Sequence, residues 1–223
     1  MTRSSVGRLI FEQVRTGGDR NFGYLLADRE VGHGILVDPS YAPELLHDRA
    51  RAQGLTITHI VNTHGHPDHT NGNGRAAELT GAQLAAHPTS AEPIDVPLSD
   101  GQTLRVGDLR VTCLHTPGHC DDHLVLYESG HQILITGDLL FVGKVGGAKT
   151  DDDARAEWTS LQRVLKALPD TATVWPGHDY GARPSSTIGL EKQTNPFLLC
   201  ADCDSFLQLR QEWPSFKQIN GLK

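Results

Sequence analysis

Hydrophobic positions along this chain fall into short blocks whose spacing switches between strand-like and helix-like periods. Runs rich in β-branched and aromatic residues, Arg8 to Val14 and Asn21 to Ala27, flank Gly17-Gly18-Asp19, which predicts an antiparallel hairpin. A third strand is expected at Gly34 to Val37, closed by Asp38-Pro39 because proline cannot continue a ladder. Tyr41 to Gln53 has helical spacing, with Leu45, Leu46 and Ala50 on one face and Gly54 as its stop. The run Ile57-Thr58-His59-Ile60-Val61 predicts the next strand, Arg75 to Thr80 an Ala-rich helix ended by Gly81, and Gln83 to Ala86 a short strand.

The second half repeats this alternation after a proline-broken segment from Glu92 to Pro97. Leu104 to Val111 alternates around Gly107-Asp108, a hairpin signal, and strands are expected at Thr112 to His115, His123 to Tyr127 and Ile133 to Thr136. Asp151 to Leu168 opens with three aspartates, which favour a helix amino end, and carries Trp158, Leu161, Val164, Leu165 and Leu168 on one side. Thr171 to Trp175 reads as a strand, and Asp204 to Gln211 as one last short helix. This order fits two sheets between helices in one domain over residues 1–223, with a short C-terminal helical tail from about 189 to 223.

Composition narrows the picture in three ways. A chain of 223 residues that is 38% hydrophobic can bury one large core. A net charge of -7 without any Lys/Arg block argues against a nucleic-acid surface, which needs a basic stripe to displace counterions. No apolar stretch has membrane-spanning length, and Met1 to Gly7 is polar, so a cytoplasmic protein with no membrane partner is expected. Cys113, Cys120, Cys200 and Cys203 suit a reducing compartment. Cys200-Ala201-Asp202-Cys203 has the spacing of half a zinc site, but no second pair lies nearby, which favours packing roles.

The candidate chemistry is concentrated in Thr63-His64-Gly65-His66-Pro67-Asp68-His69, three imidazoles and a carboxylate directly past a predicted strand. His64 and His66, two apart in extended chain, point to one side and can reach a single cation. Pro67 suits the first turn of a helix, which turns Asp68 and His69 toward a different point. Thr116-Pro117-Gly118-His119, Thr136-Gly137-Asp138 and Pro176-Gly177-His178 each place one more ligand-capable side chain just beyond a hydrophobic run. Imidazole with carboxylate suits zinc, iron, manganese or nickel.

With those partners the chain resembles the metallo-β-lactamase superfamily, whose pattern HxHxDH followed by His, Asp and His is matched at all seven positions. The resemblance covers nearly the whole chain and implies the αββα sandwich, two mixed β-sheets flanked by helices, with metals at the sheet ends. It further implies two divalent ions, zinc foremost, with iron or manganese as alternatives. His64, His66 and His119 would hold the first, Asp68, His69 and His178 the second, and Asp138 would join them. Asp68 and Asp138 are then the catalytic carboxylates, and a metal-bridging hydroxide is the nucleophile. Asp38 either caps a turn or braces a metal-binding histidine, and His123 is a second candidate for bracing. His59, His87, His115 and His131 are assigned strand or turn roles, and Cys120 lies next to a ligand position.

Gly177-His178-Asp179-Tyr180, Ser186-Thr187-Ile188-Gly189 and Asn195-Pro196 are similar to the glyoxalase II (hydroxyacylglutathione hydrolase) and persulfide dioxygenase branch. One departure matters. Where glyoxalase II enzymes carry Gly-Cys-Gly-Lys with a nearby tyrosine, and dioxygenases Gly-Cys-Gly-Arg-Thr-Asp, this chain has Gly143-Lys144-Val145-Gly146-Gly147-Ala148-Lys149-Thr150. Lys144 and Lys149 are then either solvated loop lysines or, one of them, the anchor for a glutathione carboxylate, with Tyr180 a further candidate at the substrate. The leading expectation is hydrolysis of a small-molecule thioester such as S-lactoylglutathione. The alternatives are a mononuclear dioxygenase of glutathione persulfide, with one Fe(II) on His64, His119 and Asp138, or a lactonase or phosphodiesterase of the same fold. A homodimer is left open.

Overall fold

In the computed structural model, which describes residues 7–219, the first hairpin forms where the glycines permit it. β1 (Leu9–Gly17) and β2 (Asn21–Asp28) pair antiparallel across a turn in which Gly17 and Gly18 both take positive φ. All eight positions of β2 are buried, because it is covered on both faces. β3 (His33–Val37) pairs antiparallel with β2, and α1 (Pro43–Ala52) then carries the chain over to β4 (Thr56–Val61), parallel to β3. After α2 (Pro67–Thr70) and α3 (Asn73–Thr80), β5 (Gln83–Ala86) and β6 (Val96–Pro97) extend the parallel side. The first sheet is therefore mixed, in the order β1-β2-β3-β4-β5-β6.

The second sheet begins with β7 (Thr103–Val106), β8 (Leu109–His115), β9 (Leu124–Glu128) and β10 (Ile133–Gly137), each antiparallel to the next. β11 (Leu140–Phe141) and β12 (Lys144–Val145) make a separate small hairpin. α4 (Asp151–Ala167) crosses to β13 (Thr173–Pro176), parallel to β10, and β14 (Ser186–Thr187) closes the edge before α5 (Ile188–Thr194) and α6 (Cys203–Ile219). Thr150 caps α4 reciprocally with Asp153, each side chain taking the other's backbone N–H.

Three apolar layers hold these parts together. Tyr24, Leu26, Ile35, Leu98, Val106, Leu124 and Leu126 interleave between the sheets. Leu25, Leu36, Leu46, Ala50 and Ile60 pack α1 and α3 onto the outer face of the first sheet. Leu134, Leu161, Val164, Phe197 and Phe206 do the same for α4, α5 and α6 on the second. Each fully buried Leu or Phe contributes about 1.5–3 kcal/mol relative to exposure. The architecture is the expected αββα sandwich of two mixed sheets.

Two of the parallel crossovers, β3-α1-β4 and β10-α4-β13, decide where chemistry can sit. Asp38 follows β3, the histidine run follows β4, Asp138 follows β10 and His178 follows β13, so all four strand ends deliver polar residues to one edge. Backbone bonds from Phe22 N to Gly177 O (2.8 Å) and from Leu124 N to Thr63 O (2.7 Å) stitch the sheets together there.

Two expectations need correction. Thr112 to His115 is not a separate strand but the second half of β8, since nothing after Asp108 interrupts the ladder with β9. The last helix is not the short Asp204–Gln211 segment but runs from Cys203 to Ile219 with Pro214 inside. Proline argues against a continuing helix, yet Trp213 packs on Phe197 and Phe216, with ring centroids 4.6 and 5.1 Å away. The two-residue strands β6, β11, β12 and β14 are too short for any periodic signal.

Candidate metal centre

The chain leaves β4 through a bend at Thr63 and reaches His66 in extended conformation, and Pro67 opens the single turn of α2 that carries Asp68 and His69. His119 follows Gly118 in the turn after β8, Asp138 follows Gly137 at the end of β10, and His178 follows Gly177 after β13. Gly177 is needed for close approach: a Cβ there would lie 2.3 Å from Asp138 Oδ1.

All seven expected ligand residues converge. His64 Nε2 and His119 Nε2 lie 3.0 and 2.9 Å from His66 Nδ1. His69 Nε2 and His178 Nε2 are 3.2 Å apart, with Asp68 Oδ2 at 3.6 and 3.4 Å from them. The Asp138 carboxylate stands between the two groups, 3.6 Å from His119 Nε2 and 3.3 Å from His178 Nε2. Three overlapping sets can hold an ion: His64, His66 and His119; His64, His69 and Asp138; and Asp68, His69 and His178.

The donor chemistry fits divalent cations. His69 Nδ1 faces Asp38 Oδ2 (2.9 Å), His119 Nδ1 faces Gly147 O (2.6 Å) and His178 Nδ1 faces Asp19 O (2.8 Å). Carbonyl and carboxylate oxygens only accept, so each Nδ1 carries the proton and each Nε2 turns a lone pair into the cluster. The Thr63 hydroxyl donates to Asp38 Oδ2 (2.7 Å) and accepts from His64 Nδ1 (3.0 Å), with the same result. Lone pairs facing each other near 3 Å repel unless a cation lies among them, and Asp138 Oδ1 is buried without any hydrogen-bond partner.

Electrostatics support this assignment. Burial holds the His64 imidazole well below its ordinary value, so it stays neutral. Burial opposes charge on His69 too, but Asp138, Asp38 and Asp68 outweigh it and raise the ring to about 9, so without a cation its Nε2 also holds a proton, and a metal ion at Nε2 would take that proton's place. Burial likewise disfavours the Asp138 carboxylate, yet His69, His178 and His64 hold it well below the usual range. The centre is built around carboxylates that want positive charge.

Asp38 sits at φ 45° and accepts from Thr63 N (2.9 Å), the Thr63 hydroxyl and His69 Nδ1, whereas α1 has no side-chain cap. Of its two readings, the bracing geometry is the one present. His123 touches no other histidine through a hydrogen bond: its Nε2 accepts from Asp138 N (3.0 Å) and its Nδ1 faces the Thr116 hydroxyl (2.8 Å). Burial, reinforced by His119, drives it down to about 3, which keeps Nε2 an acceptor.

Tyr180 stacks on His178 at 4.6 Å and 3° and donates its hydroxyl to Asp19 Oδ2 (2.6 Å). Lys144, on the β11-β12 hairpin, holds its Nζ 3.8 Å above the Tyr180 ring, and burial with Lys217 and Arg20 lowers it to about 8. It is not a solvated loop lysine. Lys149 lies beyond His119, lining a cleft of about 250 Å³ with Cys120, Asp121 and Asp153. His59 bonds Thr58, His131 bonds Glu128, and His87 stacks on His115 at 4.0 Å, all outside the cluster. Among the described residues, neither Cys200 nor Cys203 joins a set of ligand atoms able to hold a metal.

Sequence reasoning missed Asn21, whose Nδ2 donates to Asp68 Oδ2 (2.9 Å) and Asp68 O (3.2 Å). Its signal was one polar residue opening an otherwise apolar strand. The carbonyls of Asp19 and Gly147 were also missed, because a backbone acceptor has no sequence signature.

An αββα sandwich with this seven-residue cluster at its strand ends defines a metal-dependent enzyme of the metallo-β-lactamase kind. The family model "Metallo-beta-lactamase superfamily" matches residues 16–95 and 85–178, and the chain belongs to that superfamily. It is 38% identical over 178 residues to a hydroxyacylglutathione hydrolase of Polaromonas sp., covering 77% of this chain and 67% of that protein. It is 30% identical over 208 residues to the human mitochondrial persulfide dioxygenase ETHE1, covering 91% and 79%. The crystal structure of ETHE1 from Myxococcus xanthus matches with a TM-score of 0.85 at 32% identity, over 92% of this chain and 91% of that one. The chain therefore falls in the glyoxalase II and ETHE1-like branch, with the metal-dependent hydrolase character of the superfamily. Among the described residues, no helix is long and apolar enough to cross a membrane.

Proposed function

We propose that this protein hydrolyses a small thioester whose thiol carrier is anionic, S-lactoylglutathione being the simplest, with two divalent ions and zinc foremost. When bound, the ions supply Lewis acidity and a water acidified to react near neutral pH. The residues divide the remaining work. Asp68 is the most exposed of the three carboxylates at the centre, 34% against 9% for Asp138 and 2% for Asp38, and Asn21 fixes its Oδ2. It is placed to orient the attacking water and take its proton. Asp138, charged and shared between the two groups, keeps the histidines in register.

The observation that carries the substrate class is Lys144 held over the Tyr180 ring beside His178. A cleft of about 330 Å³ opens there, lined by Lys144, Tyr180, Pro196 and Trp213. Because Tyr180 stacks on His178, this cleft adjoins the cluster, and a carrier carboxylate reaching it would meet in Lys144 the positive charge that Gly147 cannot supply. Similarity to hydroxyacylglutathione hydrolases over most of the chain supports the reading. The close structural match to ETHE1 favours a second one, oxidation of glutathione persulfide with a single iron on His64, His119 and Asp138.

One experiment separates them: metal content of protein purified without added metal, with turnover of S-lactoylglutathione and oxygen uptake on glutathione persulfide. About two ions per chain with thioester cleavage is the expected result. About one iron with oxygen consumption and no thioester cleavage would replace it with the dioxygenase.

A further inference from the structure

Beneath the centre lies a buried ion pair that neither proposed chemistry uses. Glu157 of α4 is fully buried, and its Oε2 accepts from Arg210 Nη1 of α6 at 2.5 Å. The same Nη1 donates to Gly146 O at 2.9 Å. Glu157 Oε1 is buried without a partner. Burying a charged pair is costly, and nearby apolar side chains of similar volume would stabilise the fold as well or better. Its position suggests another purpose.

Glu157 stands between the two loops that hold His119. On one side, a Cβ at Gly118, whose φ is +142°, would lie 2.4 Å from Glu157 N, Cα and Cβ, so the His119 turn rests on the α4 backbone at this residue, one side chain's length from the carboxyl. Ser160, one turn along α4, donates to Pro117 O at 2.7 Å and grips the same turn. On the other side, a Cβ at Gly146 would lie 3.2 Å from Glu157 Oε1 and 1.9 Å from Asp138 O. The next carbonyl, Gly147 O, is the acceptor for His119 Nδ1 at 2.6 Å.

We propose that Glu157 and Arg210 are positioning residues for His119: the pair clamps the Gly146-Gly147 loop against the Gly118-His119 turn, so the Gly147 carbonyl fixes the imidazole with Nε2 facing His66 and Asp138. Arg210 is suited to this because one planar guanidinium serves a carboxylate and a carbonyl together, and it is held at 15% exposure. Burial raises the Glu157 carboxyl, and the Arg210 guanidinium beside it pulls it back toward the charged form. The final helix thereby becomes part of the centre without touching it. The inference rests on the reading of His119 as a metal ligand.

The test compares the full-length wild type, Arg210→Met and the double variant Arg210→Met/Glu157→Leu, which removes the pair without stranding a charge. Thermal unfolding confirms that each folds. Two readouts follow: competition for zinc against a chromophoric chelator, and nitrogen NMR of the histidine rings in metal-free protein. Both variants are expected to weaken one of the two zinc ions by roughly 10- to 100-fold while sparing the other, and to shift the His119 Nδ1 signal from its hydrogen-bonded position. Wild-type affinity and an unchanged His119 signal in the folded double variant would overturn the proposal. If the wild type binds no zinc, the metal reading falls, and the His119 signal still decides whether the pair orients the ring.

Discussion

Asp38 Oδ2 accepts from His69 Nδ1 at 2.9 Å, joining the end of β3 to the single turn of α2 across 31 residues. Both side chains are almost wholly buried, and the same oxygen receives the Thr63 hydroxyl. One carboxylate thus sets the tautomer of His69 directly and that of His64 through Thr63. Asp38→Asn keeps the shape but cannot accept all three protons. Metal affinity should fall roughly 10- to 100-fold, measured by chelator competition.

Asp138 reaches both ligand groups, and no other carboxylate among the described residues joins a set containing His64. Asp138→Ala should lose one ion and lower turnover by a factor on the order of 10³. The far-ultraviolet circular dichroism should stay that of the wild type. Full activity with full metal content would contradict its shared role.

Lys144 and Lys149 line different clefts, and of the two only Lys144 lies over Tyr180, in the larger one. Lys144→Ala should raise KM about tenfold, equivalent to about 1.4 kcal/mol of binding, with kcat little changed. Lys149→Ala should leave KM alone. Steady-state kinetics on one thioester compares them.

The same lysine predicts a pH dependence. Its charge is lost near pH 8 rather than at the ordinary lysine value, because burial and the neighbouring Lys217 and Arg20 disfavour the ammonium. The anchor is therefore positive below about 8 and fades above it. KM should climb as pH rises through that range in the wild type, and the climb should vanish in Lys144→Ala.

Phe206 of α6 is fully buried against α4, 5.2 Å from the Trp158 ring and 5.9 Å from Phe197. Phe206→Ala should cost about 3–5 kcal/mol in denaturant unfolding. If Arg210 acts through the seating of α6, this variant should also weaken zinc binding.

Sequence by itself determined the sandwich, since alternating periods dictate which segments bury one face and which bury two. It also marked the seven residues that converge as candidate ligands, because each follows a hydrophobic run, five directly after a glycine or proline that lets the backbone turn a side chain outward at a strand end. Tertiary structure alone decided what braces them. Asn21 meets Asp68 across 47 residues, and His178 meets the Asp19 carbonyl across 159, distances closed only when the two sheets stack. It also set Lys144 over the Tyr180 ring and Lys149 in a separate cleft beside His119, through a β11-β12 hairpin too short to leave a period. Local pattern records which face a residue buries, whereas which residues meet depends on packing between layers, and that is a property of the whole chain.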